Sequence, residues 1–429
     1  MSFQQKWLGV ALPLLAFVLC ATRFLLIVRT FAVNVFIGDQ WEFQEATVFH
    51  PRSLLAIFRW QLGPHRQGLG GLLHAAIDPW FHWNARSESF VAAGIIIAAC
   101  ALALWLKVRI AGKLTITDTV IPILFLTPVQ YEVIVGVTNY AHGPLPLLLL
   151  IALALAWTLP ESRTRWTAIL LLNFLSIYTG FGLLLGIITP LAITLEYFAK
   201  RQEPRRHAIA ATIALMSLAS FFIGYVRNPD AQCFSTELHS PLHYFLFSGF
   251  MFSNFLGIKA TQELVLAILL GSGSLVLFAG VLMAITRRLQ LVPFILLAYS
   301  LAFALLTAFG RTCMGLGAAQ GSRYMTYLIP ALLAVYLFSL SIKDRMAHCA
   351  LIASTCVLVT ISGARIHNAD MHAMANLRNG RVEWKACYLA EHDLVRCNRL
   401  TGANIYSYPD SIQTKLDILE QRRLNLFAQ

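Results

Sequence analysis

Charge is what this chain has least of. Only 13% of its 429 residues are Asp, Glu, Lys or Arg, against 58% hydrophobic, where soluble domains carry roughly 25% charged residues. So few charges cannot cover a folded surface, which excludes an ordinary soluble domain. Short alternating segments, the mark of transmembrane strands, are also lacking, which excludes an outer-membrane-type barrel. The eight cysteines show no CxxC-like metal spacing. No internal repeat or low-complexity stretch stands out. Acids are scarcer than bases, 21 against 33, giving a net charge of +12. The bases fall in short clusters between apolar runs: Lys107, Arg109 and Lys113; Arg163 and Arg165; Lys200, Arg201, Arg205 and Arg206; Arg287 and Arg288; Lys343 and Arg345. That placement follows the positive-inside rule for membrane proteins, so nucleic acid is not expected as a partner.

What is abundant is apolar sequence in lengths near the ~20 residues a helix needs to cross a bilayer. The expected class is an all-α, polytopic transmembrane protein. The first run, about 7–36, is too long for a signal peptide and has no small-residue cleavage site, so it reads as a retained helix with a cytoplasmic N-terminus. Further runs at about 90–106, 119–135, 144–159, 167–179, 181–198, 208–226, 264–286, 291–309, 325–342 and 349–364 bring the expected count to about eleven. With that count the basic clusters fall on the cytoplasmic side. The loop 38–89, the turn "GVTNYAHGP", the segment 227–262, the loop 310–324 and the tail 365–429 fall outside. Two units result: a membrane domain over 1–364 and a small soluble helical tail of about three short helices over 365–429. The aromatic stretch Pro241–Glu263, broken by Gly249, Asn254 and Gly257, reads as an interfacial or re-entrant helix. Cys20, Cys100, Cys349 and Cys356 read as packing residues. Cys233, Cys313, Cys387 and Cys397 lie in polar segments, where a disulfide, most simply Cys387 with Cys397, and free thiols both remain open.

The polar groups that this chain otherwise avoids are crowded into "GDQWEFQEATVFHPRSLLAIFRWQLGPHRQGLG", Gly38–Gly70. Asp39 follows the first span directly, and Glu42 and Glu45 follow it. In "HPRSLLAIFRWQ", Leu54, Leu55, Phe58 and Trp60 mark one apolar side, with Arg52 and Arg59 opposite, as in a helix lying at a membrane interface. His65 and Arg66 sit on a glycine-rich turn. Asp39 reads equally as a helix N-cap, and His65 as a packed polar residue. A second cluster, "FGRTCMGLGAAQGSRYMTY", places Arg311 and Arg323 around a glycine-rich turn, with Tyr324 at the top of the next span. A guanidinium pairs bidentately with phosphate; snorkelling to the interface is the plainer reading. "VTNYAHGP" (Asn139, Tyr140, His142) and "YTGFG" (Tyr178–Gly182) are either cavity walls or simple helix ends.

A first helix followed by an acidic Asp-x-x-x-Phe/Tyr motif, "GDQWEFQEA", opening a large outer loop with interfacial helices and then many spans, resembles the GT-C superfamily of integral-membrane glycosyltransferases. The stretches "HRQGLGG" and "GRTCMGLGAAQGSRYMTY" look like segments of bacterial membrane proteins of this type. The resemblance covers residues 1–364. It implies a sugar transferred from a polyprenyl-phosphate donor to a glycan or lipid acceptor at the outer face of a bacterial inner membrane. Asp39 is then the catalytic base, with Glu42 as the next acid. His65, Arg66, Arg311, Gln320, Arg323 and Tyr324 bind substrate. Membrane lipids are the surrounding partner. Where many relatives have two adjacent acids, Gln40 follows Asp39 here, and no acidic metal pair stands in a second outer loop. No metal and no cofactor is therefore assigned. The small tail argues against peptide glycosylation. A transporter or flippase of lipid-linked sugars is the rival class, and a lipid-linked glycan ligase or polymerase the near alternative.

Overall fold

The computed structural model describes residues 3–226, 240–365, 367–406 and 412–428. Cys233, and with it residues 227–239 of the expected outer segment, lies outside them. The described residues are all-α apart from a hairpin of two-residue strands, Gln61–Leu62 with His65–Arg66. Among the described residues, five helices are long and apolar enough to cross a membrane: Leu8–Phe31, Ala85–Ala111, Gly180–Lys200, Leu264–Arg287 and Leu291–Met314. By length and hydropathy they are candidate spans, as a multi-pass membrane protein would have. Their boundaries have local causes. The Asn84 side chain accepts the Arg86 amide at 2.9 Å at the start of Ala85–Ala111, and Gly112, at φ +75°, ends it. Such caps satisfy orphan backbone groups at each terminus.

The two outermost spans leave much of their apolar surface uncovered. Leu14, Leu15, Val18 and Leu19 on the first helix and Val265, Leu269, Val276 and Met283 on Leu264–Arg287 are exposed, while Phe24, Val28 and Phe278 face the interior. Contiguous oily faces of this kind are rare on soluble monomers and suit contact with lipid chains.

The remaining expected runs are helical but shorter or interrupted. The run 119–135 breaks into Val120–Phe125, a 3-10 turn Pro128–Gln130 and a π turn Glu132–Gly136. Pro128 carries no amide hydrogen and cannot continue the preceding helix. The run 325–342 begins as a 3-10 turn, Ser322–Tyr327, before the helix Ile329–Ser339. Pro241–Phe255, expected to be interfacial or re-entrant, packs within the bundle, with residues 247–255 all buried, which fits a re-entrant piece better than an interfacial helix. Gly249 and Gly271 make this possible: a Cβ on Gly271 would stand 2.3 Å from the Gly249 carbonyl oxygen. Two of the cationic clusters are also partly internal. Lys107 pairs with Asp118 at 2.5 Å and Arg165 with Glu196 at 2.9 Å, all four side chains buried. These two cations serve packing between helices as well as any charge bias across the membrane.

The tail is less separate than expected. Its helices His367–Glu391, Leu394–Thr401 and Ile412–Gln421 share one apolar core with the first loop, in which Trp384, Tyr388, Leu416 and Leu419 meet Val35, Trp41, Val48 and Phe49. The Gly38 amide donates to the Ile405 carbonyl at 2.7 Å and the Asn425 amide to that of His82 at 2.8 Å. A Cys387–Cys397 disulfide joins the first two tail helices. Cys313 is also disulfide-bonded.

Candidate active-site cavity

Four stretches distant in sequence converge on a cavity of about 310 Å³. The first loop contributes Asp39, Phe43 and His65; the interrupted run contributes Glu132 and Val133; the following turn contributes Asn139 and His142. Phe181 comes from "YTGFG", and Arg311, Arg323, Tyr324 and Tyr327 come from the second arginine cluster. The loop reaches this position through two close backbone approaches. Gly68, at φ +45°, would put a Cβ 1.9 Å from the Tyr178 carbonyl oxygen, and Gly70 would put one 2.5 Å from the Ala141 amide nitrogen. Only glycine fits at either point. The "HRQGLGG" stretch is therefore a packing motif that draws the first loop onto the two turns that wall the cavity.

Asp39 occupies the N-cap position of the short helix Gln40–Phe43, yet its side chain makes no cap hydrogen bond. It is exposed and lines the cavity. Glu132 is anchored: its amide donates to Ser322 Oγ at 3.2 Å, and its Oε2 accepts the Arg323 amide at 2.8 Å. Burial works against the Arg323 charge, but the Tyr324 hydroxyl and then the Glu132 and Asp39 carboxylates offset this and hold its pKa above the ordinary value. The Arg323 guanidinium lies 5.5 Å from the Tyr324 ring centre.

The two histidines pack edge to face at 4.9 Å. His65 Nδ1 lies 2.7 Å from the Gly180 carbonyl oxygen. A carbonyl only accepts, so Nδ1 carries the proton and Nε2 keeps a lone pair. Burial drives the His65 pKa down to about 4, against the raising effect of the Gly180 bond and with help from the Arg311 charge. His142 is also held well below its usual value, by burial, by His65 and by Arg323. Its Nε2 is buried without a partner. Near neutral pH both imidazoles are uncharged. The cavity lining thus combines two uncharged imidazoles with two carboxylates and two guanidinium groups.

Asp39, His65, Arg311, Arg323 and Tyr324 line this one cavity. Glu42, Arg66 and Gln320 are not among the lining residues. Glu42 turns to the tail, where it accepts the Tyr406 hydroxyl and lies 3.5 Å from Lys415 Nζ. Arg66 is buried and donates to the carbonyls of Arg59 at 2.6 Å, Phe221 at 2.9 Å and Ile223 at 2.9 Å. It caps the end of helix Pro204–Phe221, whose terminal carbonyls attract a cation. Gln320 accepts the Ala260 amide at 2.8 Å and donates to the Ile258 carbonyl at 3.0 Å, fixing its turn to the helix beside it. Their polar groups are occupied by protein partners.

Glu132 is the residue the sequence reading passed over. A signal was present: it is the sole charge in the run 119–138, and an ionisable group within an apolar segment is by default a functional candidate. The comparisons supply no further identification. No family model matches this chain, and no curated protein matches it.

Proposed function

We propose that this protein is a membrane glycosyltransferase of the GT-C type, taking a sugar from a polyprenyl-phosphate donor at the non-cytoplasmic face. The observation that carries this reading is the opposition of Asp39 and Glu132 to Arg311 and Arg323 around one cavity. A sugar phosphate needs both signs. The leaving phosphate gains negative charge that guanidinium groups stabilise. The attacking acceptor hydroxyl loses a proton that a carboxylate takes. Asp39 is the base in this scheme because its carboxylate is free of cap bonds, whereas Glu132 is tied to a backbone amide. An apolar groove of about 660 Å³, lined by Tyr244, Phe245, Leu301, Leu305 and Phe309, runs along the helix that ends in Arg311. It offers a bed for the donor's lipid chain close to the arginine that would hold its phosphate.

The cavity also supports a topology of eleven crossings with the N-terminus cytoplasmic and the tail outside. Asp39, His142, Phe181 and Arg311 line one cavity, so they belong on one face. An even number of crossings must then separate each from the next. Taken as crossings, the expected apolar runs supply two, two and four between them, with Pro241–Phe255 re-entrant rather than crossing, and two more lead to the tail. Runs too short to cross alone are tolerated where protein rather than lipid surrounds their irregular backbone.

The test is an assay of membranes containing this protein with a panel of radiolabelled polyprenyl-phosphate sugars. Label transferred to a glycan or lipid acceptor, and lost in Asp39→Asn, is the expected result. Movement of intact donor across vesicles without sugar transfer would instead establish a flippase.

A further inference from the structure

Behind the cavity wall lies a second polar cluster that sugar transfer does not use. His74, Asp78 and Glu88 are each no more than 2% exposed, and one potential ligand atom from each lies within 4.8 Å of the other two. His74 and Asp78 stand four residues apart, on one helix face and the turn that follows it. His74 Nδ1 is 2.7 Å from Asp78 Oδ2. Gln44 Nε2 sits amid all three side chains, 3.0 Å from Asp78 Oδ2, 3.0 Å from Glu88 Oε1 and 3.3 Å from His74 Nδ1. Gln40 Nε2 donates to Glu88 Oε2 at 3.1 Å, and the Tyr140 hydroxyl to Asp78 Oδ1 at 3.0 Å. The Tyr140 ring stacks on the His74 ring at 4.0 Å.

Two features of this cluster call for a positive centre. Among the described residues, no Lys or Arg forms an ion pair with Asp78 or Glu88. Two carboxylates taken out of water without a countercharge are strongly disfavoured. The second feature is the convergence of acceptors: His74 Nδ1, Asp78 Oδ2 and Glu88 Oε1 all lie around the one Gln44 Nε2. With Nδ1 unprotonated, lone pairs exceed donors here, since the Gln44 amide has two hydrogens for three neighbours.

We propose that His74, Asp78 and Glu88 bind a divalent cation of the zinc class. One imidazole and two carboxylates suit Zn²⁺ or a related first-row ion. Gln44 is placed to become a fourth ligand. Its Oε1 now accepts the Thr47 hydroxyl at 2.6 Å. If the amide turns over, Oε1 faces the ion and Nε2 donates to that hydroxyl in its place. The site is closed and removed from the cavity, so the ion is structural. It ties the segment carrying Asp39 and Phe43 to helices Gly68–Ile77 and Ala85–Ala111, and Tyr140 links it to the turn bearing His142. The proposal is independent of what the cavity transfers.

Elemental analysis of the detergent-purified full-length protein tests it, before and after incubation with ZnCl₂ and desalting. About one equivalent of metal per chain is expected. Removal by a chelator should lower the melting temperature, and Zn²⁺ alone should restore it. Glu88→Gln and His74→Ala should each lose the metal, whereas Asp39→Asn, outside the cluster, should keep it. Less than about a tenth of an equivalent in the Zn²⁺-treated wild type, with no change in melting temperature, would overturn the proposal. Full occupancy in folded Glu88→Gln would place the ion elsewhere and overturn it as well. The wild-type measurement decides the matter even where a variant does not fold.

Discussion

Asp39 and Glu132 carry the same charge into one cavity but are prepared for different work. Asp39 keeps its carboxylate unbonded in the N-cap position, whereas Glu132 Oε2 is bound to the Arg323 amide. Asp39→Asn preserves shape and removes the proton acceptor. It should lower sugar transfer by about 10²–10⁴-fold, the usual contribution of a general base, with donor binding retained. Steady-state kinetics decides it: normal turnover in Asp39→Asn together with loss in Glu132→Gln or His65→Gln would move the base to that residue. The arginines make a separable claim. Arg323→Lys keeps the charge and loses the planar fork, so donor affinity should fall while expression holds. Unchanged affinity in both Arg311→Ala and Arg323→Ala would leave only a snorkelling role. The histidines predict a pH effect. Because the folded His65 pKa, about 4, lies below the unfolded 6.5, the unfolded chain binds the extra proton between those values. Stability is therefore full above about pH 6.5 and declines as pH falls toward 4. Thermal melts of His65→Gln in detergent should show a shallower decline over that window than the wild type.

At the scale of elements, the first loop is held by fasteners rather than by its own secondary structure. Its helices Gln40–Phe43 and Leu54–Phe58 are a turn or so long and would not persist alone. Arg66 is the fastener toward helix Pro204–Phe221, and the tail is the fastener on the other side, through Lys415, which lies 2.9 Å from Glu45, and Arg422, which donates to the Val48 carbonyl at 2.9 Å. Arg66→Ala leaves the buried Phe221 carbonyl and the part-buried Arg59 and Ile223 carbonyls short of a charged donor. It should destabilise the protein by on the order of 3 kcal/mol, read as a lower melting temperature, with Arg66→Lys recovering part of the loss. An Arg66→Ala protein of normal stability but impaired donor affinity would return Arg66 to the substrate-binding set.

For the whole molecule, parity separates two topologies. Counting only the five long helices leaves an odd number of crossings, as eleven does, so the side on which the tail lies cannot distinguish them. The turn at 139–142 can. With five crossings it shares a side with residues 158–163; with eleven it lies opposite them and on the side of Asp39. Reporter fusions at Gly143 and Ser162 should give opposite signals, and fusions at Gly63 and Glu391 should match the one at Gly143. Equal signals at Gly143 and Ser162 would sink the eleven-crossing arrangement and, with it, a cavity open to one face.

Composition alone pointed to a helical chain rich in apolar segments long enough to cross a membrane, because too few charges exist to solvate it and the apolar runs have the length of a bilayer. Local pattern also located the two arginine- and acid-bearing stretches that meet at the cavity, since polar groups stand out where the rest of the chain avoids them. Which of those groups point into the cavity was decided only by tertiary contacts. Arg66 and His65 are adjacent in sequence, yet one is spent on the carbonyls of a distant helix end and the other faces the cavity. Glu42 lies three residues from Asp39 but is captured by the tail, more than 360 positions away. Glycines at 68 and 70 let the first loop's backbone close on Tyr178 and on Ala141, the neighbour of His142. A short motif records which groups are available. The long-range packing, which satisfies some of them and leaves others unsatisfied, assigns their tasks.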